Sequence, residues 1–336
     1  MSDHEDDPET PNARRADAKG EPAPGAPIDR ASPPEIVLDW AGFFVGLLIM
    51  TGDYIVAGRS MTHENWAFFE SPKAMVWIFF VAAQFAFWAN IVEPLWRWRS
   101  QLKRVYGIRD THAIHLKLAA AVVFFAIPGF FLVYVVPDSN LAHHDPKMAL
   151  VNLFAVIVAL IATGGIWYVR AAIEATFGRK GAAGRTLDST QQKIDVVIDL
   201  RSHLQRFISL LGAMVALATL AKGALRQAIL ATGGSATEFP PEYVLLQGAY
   251  FTGLLALVYI PTYSMLAAVG SDLVESVYPV SAGELDWSEL SKWQSNRKAL
   301  EDLLQLNVGA VHNVTASISI LAPVATSVIT VLLGAK

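Results

Sequence analysis

The chain has 336 residues, of which 53% are hydrophobic and only 17% are charged, with a mean hydropathy of +0.38 and a formal net charge of -4. A single soluble core would not use so large an apolar surplus, so the composition predicts a membrane protein and excludes an ordinary soluble domain. The sequence contains no cysteine, which excludes disulfides, thiolate catalysis and cysteine metal sites.

The first 35 residues differ from the rest of the chain in composition. They hold seven of the 17 prolines, an excess of acidic side chains and almost no large apolar residue. Such a segment cannot bury enough surface to offset the chain entropy that ordering would cost. We therefore predict that residues 1–35 form a disordered, acidic, proline-rich cytoplasmic tail. The acidic start argues against a signal peptide.

Apolar stretches of membrane-spanning length make up most of the remaining chain. A helix needs about 20 mostly apolar residues to cross the hydrocarbon core. Seven stretches qualify, at 36–57, 74–96, 114–136, 148–169, 207–231, 243–268 and 306–333. The predicted fold class is therefore all-α, a polytopic integral membrane protein with about seven transmembrane helices in a lipid bilayer. Residues 36–169 would contain helices 1 to 4, and residues 207–268 helices 5 and 6.

Basic side chains alternate from link to link, and this alternation predicts the orientation. The links after the second and fourth spans carry five and seven Lys or Arg residues, whereas the links at 58–73, 137–147 and 232–242 carry two, one and none. Basic loops are retained on the cytoplasmic side. We therefore predict a multi-pass protein of the cytoplasmic (inner) membrane with its amino terminus inside.

The basic link at 170–206 is predicted to be helical. Asp188 or Ser189 can cap a helix at its start, and apolar residues recur on one face of the segment that follows. Because neither proline nor glycine interrupts the run into the fifth span, we expect one helix from about residue 189 to 231. That helix would project into the cytoplasm as a stalk.

The link at 269–305 is predicted to contain an amphipathic cytoplasmic helix. Asp286 and Glu289 resemble a capping pair, and an apolar face consists of Leu290, Trp293, Leu300 and Leu304. We expect this helix to continue without a joint into the last span, so that the cytoplasmic and membrane segments move together.

The last segment, 306–336, carries polar side chains at helical spacing. One face of the expected helix contains Thr315, Ser319, Pro323, Thr326 and Thr330, with His312 at its head. A second polar row beside it contains Asn313, Ser317 and Ser327. In hydrocarbon each polar group needs a partner or water. This face is therefore predicted either to pack closely against another helix or to line an aqueous pore with its polar side chains.

Lys222 and Arg226 lie one helical turn apart in the outer part of the fifth span, away from the side where basic residues gather. One interpretation is that their long side chains reach the outer headgroups. The other is that they face an aqueous vestibule, where rings of positive charge in an oligomer would select anions.

The basic link also raises the question of a ligand. Six of its seven cations are candidates for binding one, namely Arg179, Lys180, Arg185, Lys193, Arg201 and Arg206. Topological retention and anionic lipids each explain basic residues near spans. The third interpretation is an anionic cytoplasmic ligand, a nucleotide or oligonucleotide, that binds between the stalks of neighbouring subunits.

Enzyme motifs are missing from the sequence. His63 and Glu64 are not followed by the second histidine of a zinc-protease helix, and neither a nucleophile elbow nor a phosphate-binding glycine loop occurs. We therefore predict that the protein is not an enzyme and has no catalytic residue, metal site or cofactor. No motif predicts a stable nucleic-acid partner.

The favoured function is a homo-oligomeric channel or pore whose last span lines the pathway and whose cytoplasmic helices carry the gate. If an anionic ligand opens it, the protein would be a membrane effector in a nucleotide-signalling or cell-suicide defence pathway. Two alternatives stay open. One is a secondary transporter of a small solute or ion, and the other is a non-conducting structural or assembly subunit.

Overall fold

Every regular element among the described residues is a helix. A computed structural model gives the fold, and it describes residues 40–57, 68–108, 112–135, 144–178, 189–235, 237, 239–279, 287–306 and 314–334. The predicted tail at 1–35 lies outside these residues. In chain order the helices are α1 Trp40–Ala57, α2 Pro72–Val105, α3 His112–Val135, α4 His144–Phe177, α5 Thr190–Ala231, α6 Glu242–Val277, α7 Trp287–Leu303 and α8 Val314–Gly334.

Four of these helices are long and apolar enough to cross a membrane. They are α2, α5, α6 and the segment Pro146–Phe177 of α4, which contain between 32 and 42 residues. Shorter apolar segments occur in α1, α3 and α8, at Ala41–Gly52, Leu116–Phe125 and Ile318–Ile329. The predicted all-helical, membrane-embedded fold is confirmed at this level, with four candidate spans.

Glycines bring α1 and α2 into backbone contact. Gly42 and Gly46 are spaced by four residues, so they lie on the same face of α1. A methyl group at Gly42 would stand 2.8 Å from the Cβ of Ala89, and one at Gly46 would stand 2.8 Å from the Cα of Ala82. Small residues on both helices therefore allow an approach that larger side chains would prevent.

The 42-residue helix α5 lies at the centre of the bundle. The prediction of one unbroken helix is confirmed, and Ser189 caps its start by accepting a hydrogen bond from the backbone N–H of Gln192. Helix α5 packs against α2, α4, α6 and α8. Its completely buried side chains include Leu200, Leu204, Phe207 and Ile208. At about 1.5 Å per residue the helix is about 63 Å long.

Helix α7 is separate from α8, so the expected joint-free helix is wrong. Helix α7 ends at Leu303, and Gln305 has a left-handed backbone with φ of 51°. The N–H of Gln305 bonds to the carbonyl of Asp302, and the N–H of Leu306 bonds to the carbonyl of Glu301. These two bonds form a Schellman ending, which stops the helix by satisfying its last carbonyls.

Helix α6 is longer than its predicted span, since it continues past residue 268 to Val277. Its extension holds α7 through Arg297, which donates to the Glu275 carboxylate and the Tyr278 carbonyl. The hydrogen bond to Glu275 and a second one to Glu301 raise the pKa of Arg297 above its ordinary value. Leu300 and Leu304 are buried, as the predicted apolar face requires.

Candidate functional site

The polar face of α8 packs against α5. Ser319 lies opposite Gly212, where an added methyl group would collide with the Ser319 backbone. The Ser319 hydroxyl donates to the hydroxyl of Ser209 over 3.3 Å. A glycine on α5 therefore lets the two backbones touch, and hydroxyls lie beside the contact.

The same face of α8 meets α6 further along. A methyl group at Gly248 of α6 would stand 2.6 Å from the Ser327 hydroxyl and 2.7 Å from the Pro323 carbonyl oxygen. Ser327 is completely buried and donates to the carbonyl of Val324 in its own helix. We call Ser319, Pro323 and Ser327, together with Gly212 and Gly248, the α8 seam.

The opposite side of α8 is apolar and exposed. Its large exposed side chains are Ile318, Leu321, Val328 and Ile329. Thr326 is half-buried. Thr315 and Thr330 belong to α8 but their side chains are not described, and His312 and Asn313 lie outside the described residues. The sequence predicted two roles for the polar face, close packing and a pore lining. The described contacts of Ser319 and Ser327 are those of close packing within the protomer.

Arg226 is buried within the protomer. It is only 8% exposed, and its Nε donates to the backbone carbonyl of Phe239 over 2.9 Å. This bond ties the end of α5 to the link before α6, which is a structural role that neither interpretation of the sequence included. Lys222, one turn away, is half-buried.

Of the predicted ligand-binding cations, Arg201 and Arg206 are both described, and they lie on different faces of α5. Arg179, Lys180 and Arg185 lie outside the described residues, and Lys193 is half-buried on α5. Arg201 and Arg206 are five residues apart and so point about 140° from each other around the helix. The Arg206 guanidinium lies 5.4 Å from the Trp98 ring centroid on α2, whereas Arg201 faces α6.

Arg201 lies against two stacked tyrosines of α6. Its guanidinium carbon is 5.8 Å from the ring centroid of Tyr263, and the rings of Tyr263 and Tyr259 are 5.4 Å apart. Arg201 is 5% exposed, and Tyr259 is completely buried. Within the described part of the chain, the Nε and Nη2 of Arg201 and the Tyr259 hydroxyl have no hydrogen-bond partner. We call Arg201, Tyr259 and Tyr263 the Arg201 site.

A second polar group lies on the other side of α5. The Tyr106 hydroxyl donates to Oδ2 of Asp199 over 2.8 Å, and Nε2 of His203 is 3.7 Å from Oδ1 of the same carboxylate. His203 stacks on the ring of Phe207. Asp199 thus has a partner from α2, and the group fastens the polar half of α5 to the end of α2.

The sequence identified Arg201 but missed its tyrosine partners and Asp199. No motif marks Tyr259 or Tyr263, which lie in an apolar run and look like ordinary interfacial aromatics. Tyr106 and Asp199 are 93 residues apart. A pairing of that kind leaves no periodic signal, although the charged residues of the otherwise apolar α5 do mark the helix as unusual.

Metal ligands do not cluster in the residues for which coordinates are described, where no three histidine or acidic side chains come together. The sequence matches no protein-family model, no curated protein and no solved structure. The two sites on α5, the α8 seam and the Arg201 site, are therefore interpreted from their chemistry alone.

Proposed function

We propose that the protein crosses the cytoplasmic membrane seven times, with its amino terminus inside. Three helices supplement the four candidate spans, since α1, α3 and α8 contain 18, 24 and 21 residues. At about 1.5 Å per residue they measure about 27, 36 and 32 Å, close to the hydrocarbon thickness of about 30 Å. The alternation of basic and basic-poor links supports the orientation.

Within that topology the protein acts as a transporter of a small solute or ion, along a path between α5, α6 and α8. The α8 seam carries this proposal. It is a row of hydroxyls and backbone contacts inside an apolar bundle, where polar groups can bond to one another when the helices touch and to water when they part. Pro261 and Pro323 each remove a backbone hydrogen bond from α6 and α8, which favours bending beside the seam.

The described arrangement is the closed one, because backbones touch at Gly212 and Gly248. An oligomeric pore lined by the exposed face of α8 fits less well, since that face presents Ile318, Leu321 and Ile329. Hydrated ions favour polar linings. The homo-oligomeric channel with an anionic cytoplasmic ligand, and its role in defence, stay predictions from the sequence.

A reversible crosslink across the seam tests the transporter. Ser209 and Ser319 already touch, so the double variant Ser209→Cys with Ser319→Cys provides a thiol pair in a chain that has no cysteine of its own. The variant would be reconstituted into vesicles, and uptake of acetate, phosphate, chloride and potassium would be measured before and after oxidation. Planar-bilayer recording in potassium chloride would detect channel-like currents.

We expect oxidation to stop uptake of at least one probe and reduction to restore it. The two single-cysteine variants are matched controls that cannot form the crosslink within one protomer. Uptake that oxidation leaves unchanged would contradict a path through the seam. Vesicles that take up none of the probes and show no current in any variant would favour the structural-subunit alternative, in which the seam is permanent packing.

A further inference from the structure

Arg201 is a buried cation that pairs with no acidic side chain among the described residues. None of the ion pairs among the described residues includes it, and its contact with the Tyr263 ring is the interaction that the structure gives its charge. Removing a charge from water is costly unless pairing and hydrogen bonds compensate. A cation–π contact supplies only part of that compensation. The site is therefore electrostatically incomplete as the described chain forms it.

The two nitrogens of Arg201 that have no described partner indicate which kind of anion would fit the site. In a guanidinium group the Nε–H and one Nη2–H bond point along the same edge of the plane. That edge pairs with two oxygen atoms of one carboxylate or phosphate. Both of these nitrogens are buried and without a partner in the described part of the chain. A spherical halide cannot accept both bonds with comparable geometry.

A third donor belongs to the ring that stacks on Tyr263, over which Arg201 lies. It is the Tyr259 hydroxyl, which is buried and has no hydrogen-bond partner among the described residues. A phenol can donate one hydrogen bond to an anion while its ring shields that anion from lipid. In the described part of the chain the Arg201 site thus contains three buried donors without a partner and one positive charge.

We propose that the Arg201 site binds the oxyanion group of a small solute, a carboxylate or a phosphate, with Arg201 as a bidentate partner and Tyr259 as the third donor. This assignment rests on the proposed transport function and names its substrate class. It differs from the nucleotide site predicted between subunits, because it lies within one protomer and does not involve Arg206.

Ligand-dependent stability tests the site without requiring transport. The full chain in lipid nanodiscs would be heated with increasing sodium acetate or sodium phosphate, against sodium chloride at equal ionic strength, and unfolding followed by tryptophan fluorescence. A ligand that binds only the folded state raises the unfolding midpoint with concentration. We expect acetate or phosphate to raise the unfolding midpoint more than chloride does. A larger shift with acetate would indicate an organic acid as substrate, and a larger shift with phosphate would indicate a phosphorylated solute.

Two variants locate the effect. Arg201→Lys keeps the charge but loses the planar fork, so we expect the apparent affinity to fall at least about tenfold. Tyr259→Phe removes only the hydroxyl and should weaken binding several-fold while the fold is kept. Arg170→Lys is the matched control on α4, where the arginine pairs with Glu174, and its affinity should equal that of the unmodified chain.

Equal midpoints in acetate, phosphate and chloride would overturn the proposal and assign the unpaired donors to ordered water. An affinity that neither Arg201→Lys nor Tyr259→Phe changes would overturn it as well, and the tyrosine variant decides alone if the lysine variant does not fold. The transport proposal fails separately, through the crosslink. Binding of acetate or phosphate without uptake would support the Arg201 site and contradict the path along the α8 seam. Uptake without such binding would support the path and contradict the site.

Discussion

The α8 seam and the Arg201 site occupy the same face of α5 but differ in how completely their polar groups are satisfied. Gly212 and Arg201 are eleven residues apart, which places them about 20° from each other around the helix and about 16 Å apart along it. In the seam the hydroxyls of Ser319 and Ser327 have partners within the chain. In the Arg201 site three donors have none among the described residues.

This difference teaches what each region requires. A seam whose groups are already bonded is stable when closed and gains nothing from a ligand. Buried donors without a partner destabilise the folded protein until a ligand or water accepts their hydrogen bonds. Each unsatisfied buried group costs about 1–3 kcal/mol. Substitutions should therefore destabilise the protein at satisfied contacts and leave it unchanged, or stabilise it, at the unsatisfied ones.

The largest difference between a variant and its control is expected at the seam, for Gly248→Ala. The new methyl group would meet the Ser327 hydroxyl and the Pro323 carbonyl oxygen, and such overpacking lowers the free energy of unfolding by about 1–3 kcal/mol. Gly253→Ala is the matched control, because nothing lies within 4 Å of its added methyl group and alanine favours a helix by about 1 kcal/mol. Equal stability of the two variants in denaturant titrations would show that the seam is not tightly packed.

A smaller contrast separates two buried arginines of the same helix. Arg226→Met removes the donor to the Phe239 carbonyl, so we expect a loss of about 1.5–3 kcal/mol. Arg201→Met removes a cation for which the described residues provide no carboxylate partner, and we expect a neutral or stabilising change in the ligand-free protein. Thermal unfolding of the purified variants without added oxyanion measures both. A greater loss at Arg201 than at Arg226 would contradict the contrast.

Two tyrosine hydroxyls allow the same comparison, between a donor with a partner and one without a described partner, at the level of a single oxygen atom. Tyr106→Phe removes a hydrogen bond to the Asp199 carboxylate and should cost about 1.5 kcal/mol. Tyr259→Phe removes a hydroxyl with no described partner, and the ligand-free protein should be as stable as before or more so. Both substitutions delete one oxygen atom, so their difference in unfolding free energy isolates the hydrogen bond. A larger loss of unfolding free energy for Tyr259→Phe than for Tyr106→Phe would contradict the claim that the Tyr259 hydroxyl lacks a partner in the ligand-free protein.

The smallest effect is expected from Ser327→Ala. The hydroxyl bonds to a carbonyl of its own helix, and alanine keeps the small volume that Gly248 requires. The free energy of unfolding should change by no more than about 0.5–1 kcal/mol. Ser327→Leu, which enlarges the same position, should by contrast be strongly destabilising, and similar stability of the two variants would show that the side chain does not face α6.

The sequence predicted those features that depend on local patterns. The Ser189 cap, the unbroken α5 and the buried positions Leu300 and Leu304 follow from capping chemistry and helical periodicity, and each is present. The left-handed turn at Gln305 was missed, because glycine or asparagine usually occupies such a position. The turn at Gln305 ends α7, so α7 does not continue as one helix into α8.

The sites could be predicted only in part, because their partners come from distant helices. The polar row of α8 was evident from spacing, but the glycines that cover it, Gly212 and Gly248, become meaningful only when three helices meet. Arg201 was included among the ligand-binding cations for its charge. Its isolation from Arg206 and its tyrosine partners depend on the rotation of α5 between α2 and α6, which periodicity does not define.

Water access to α8 tests the central claim, a path that opens along the seam, most directly. Single cysteines would replace Ser319, Thr326, Leu321 and Ile329 in this naturally cysteine-free chain, and their reaction with a small water-soluble thiol reagent would be timed in vesicles during uptake of acetate or phosphate. Thiolates form in water and are suppressed in hydrocarbon. We predict that the cysteines at 319 and 326 react while those at 321 and 329 stay protected. Equal protection of all four positions would contradict the path.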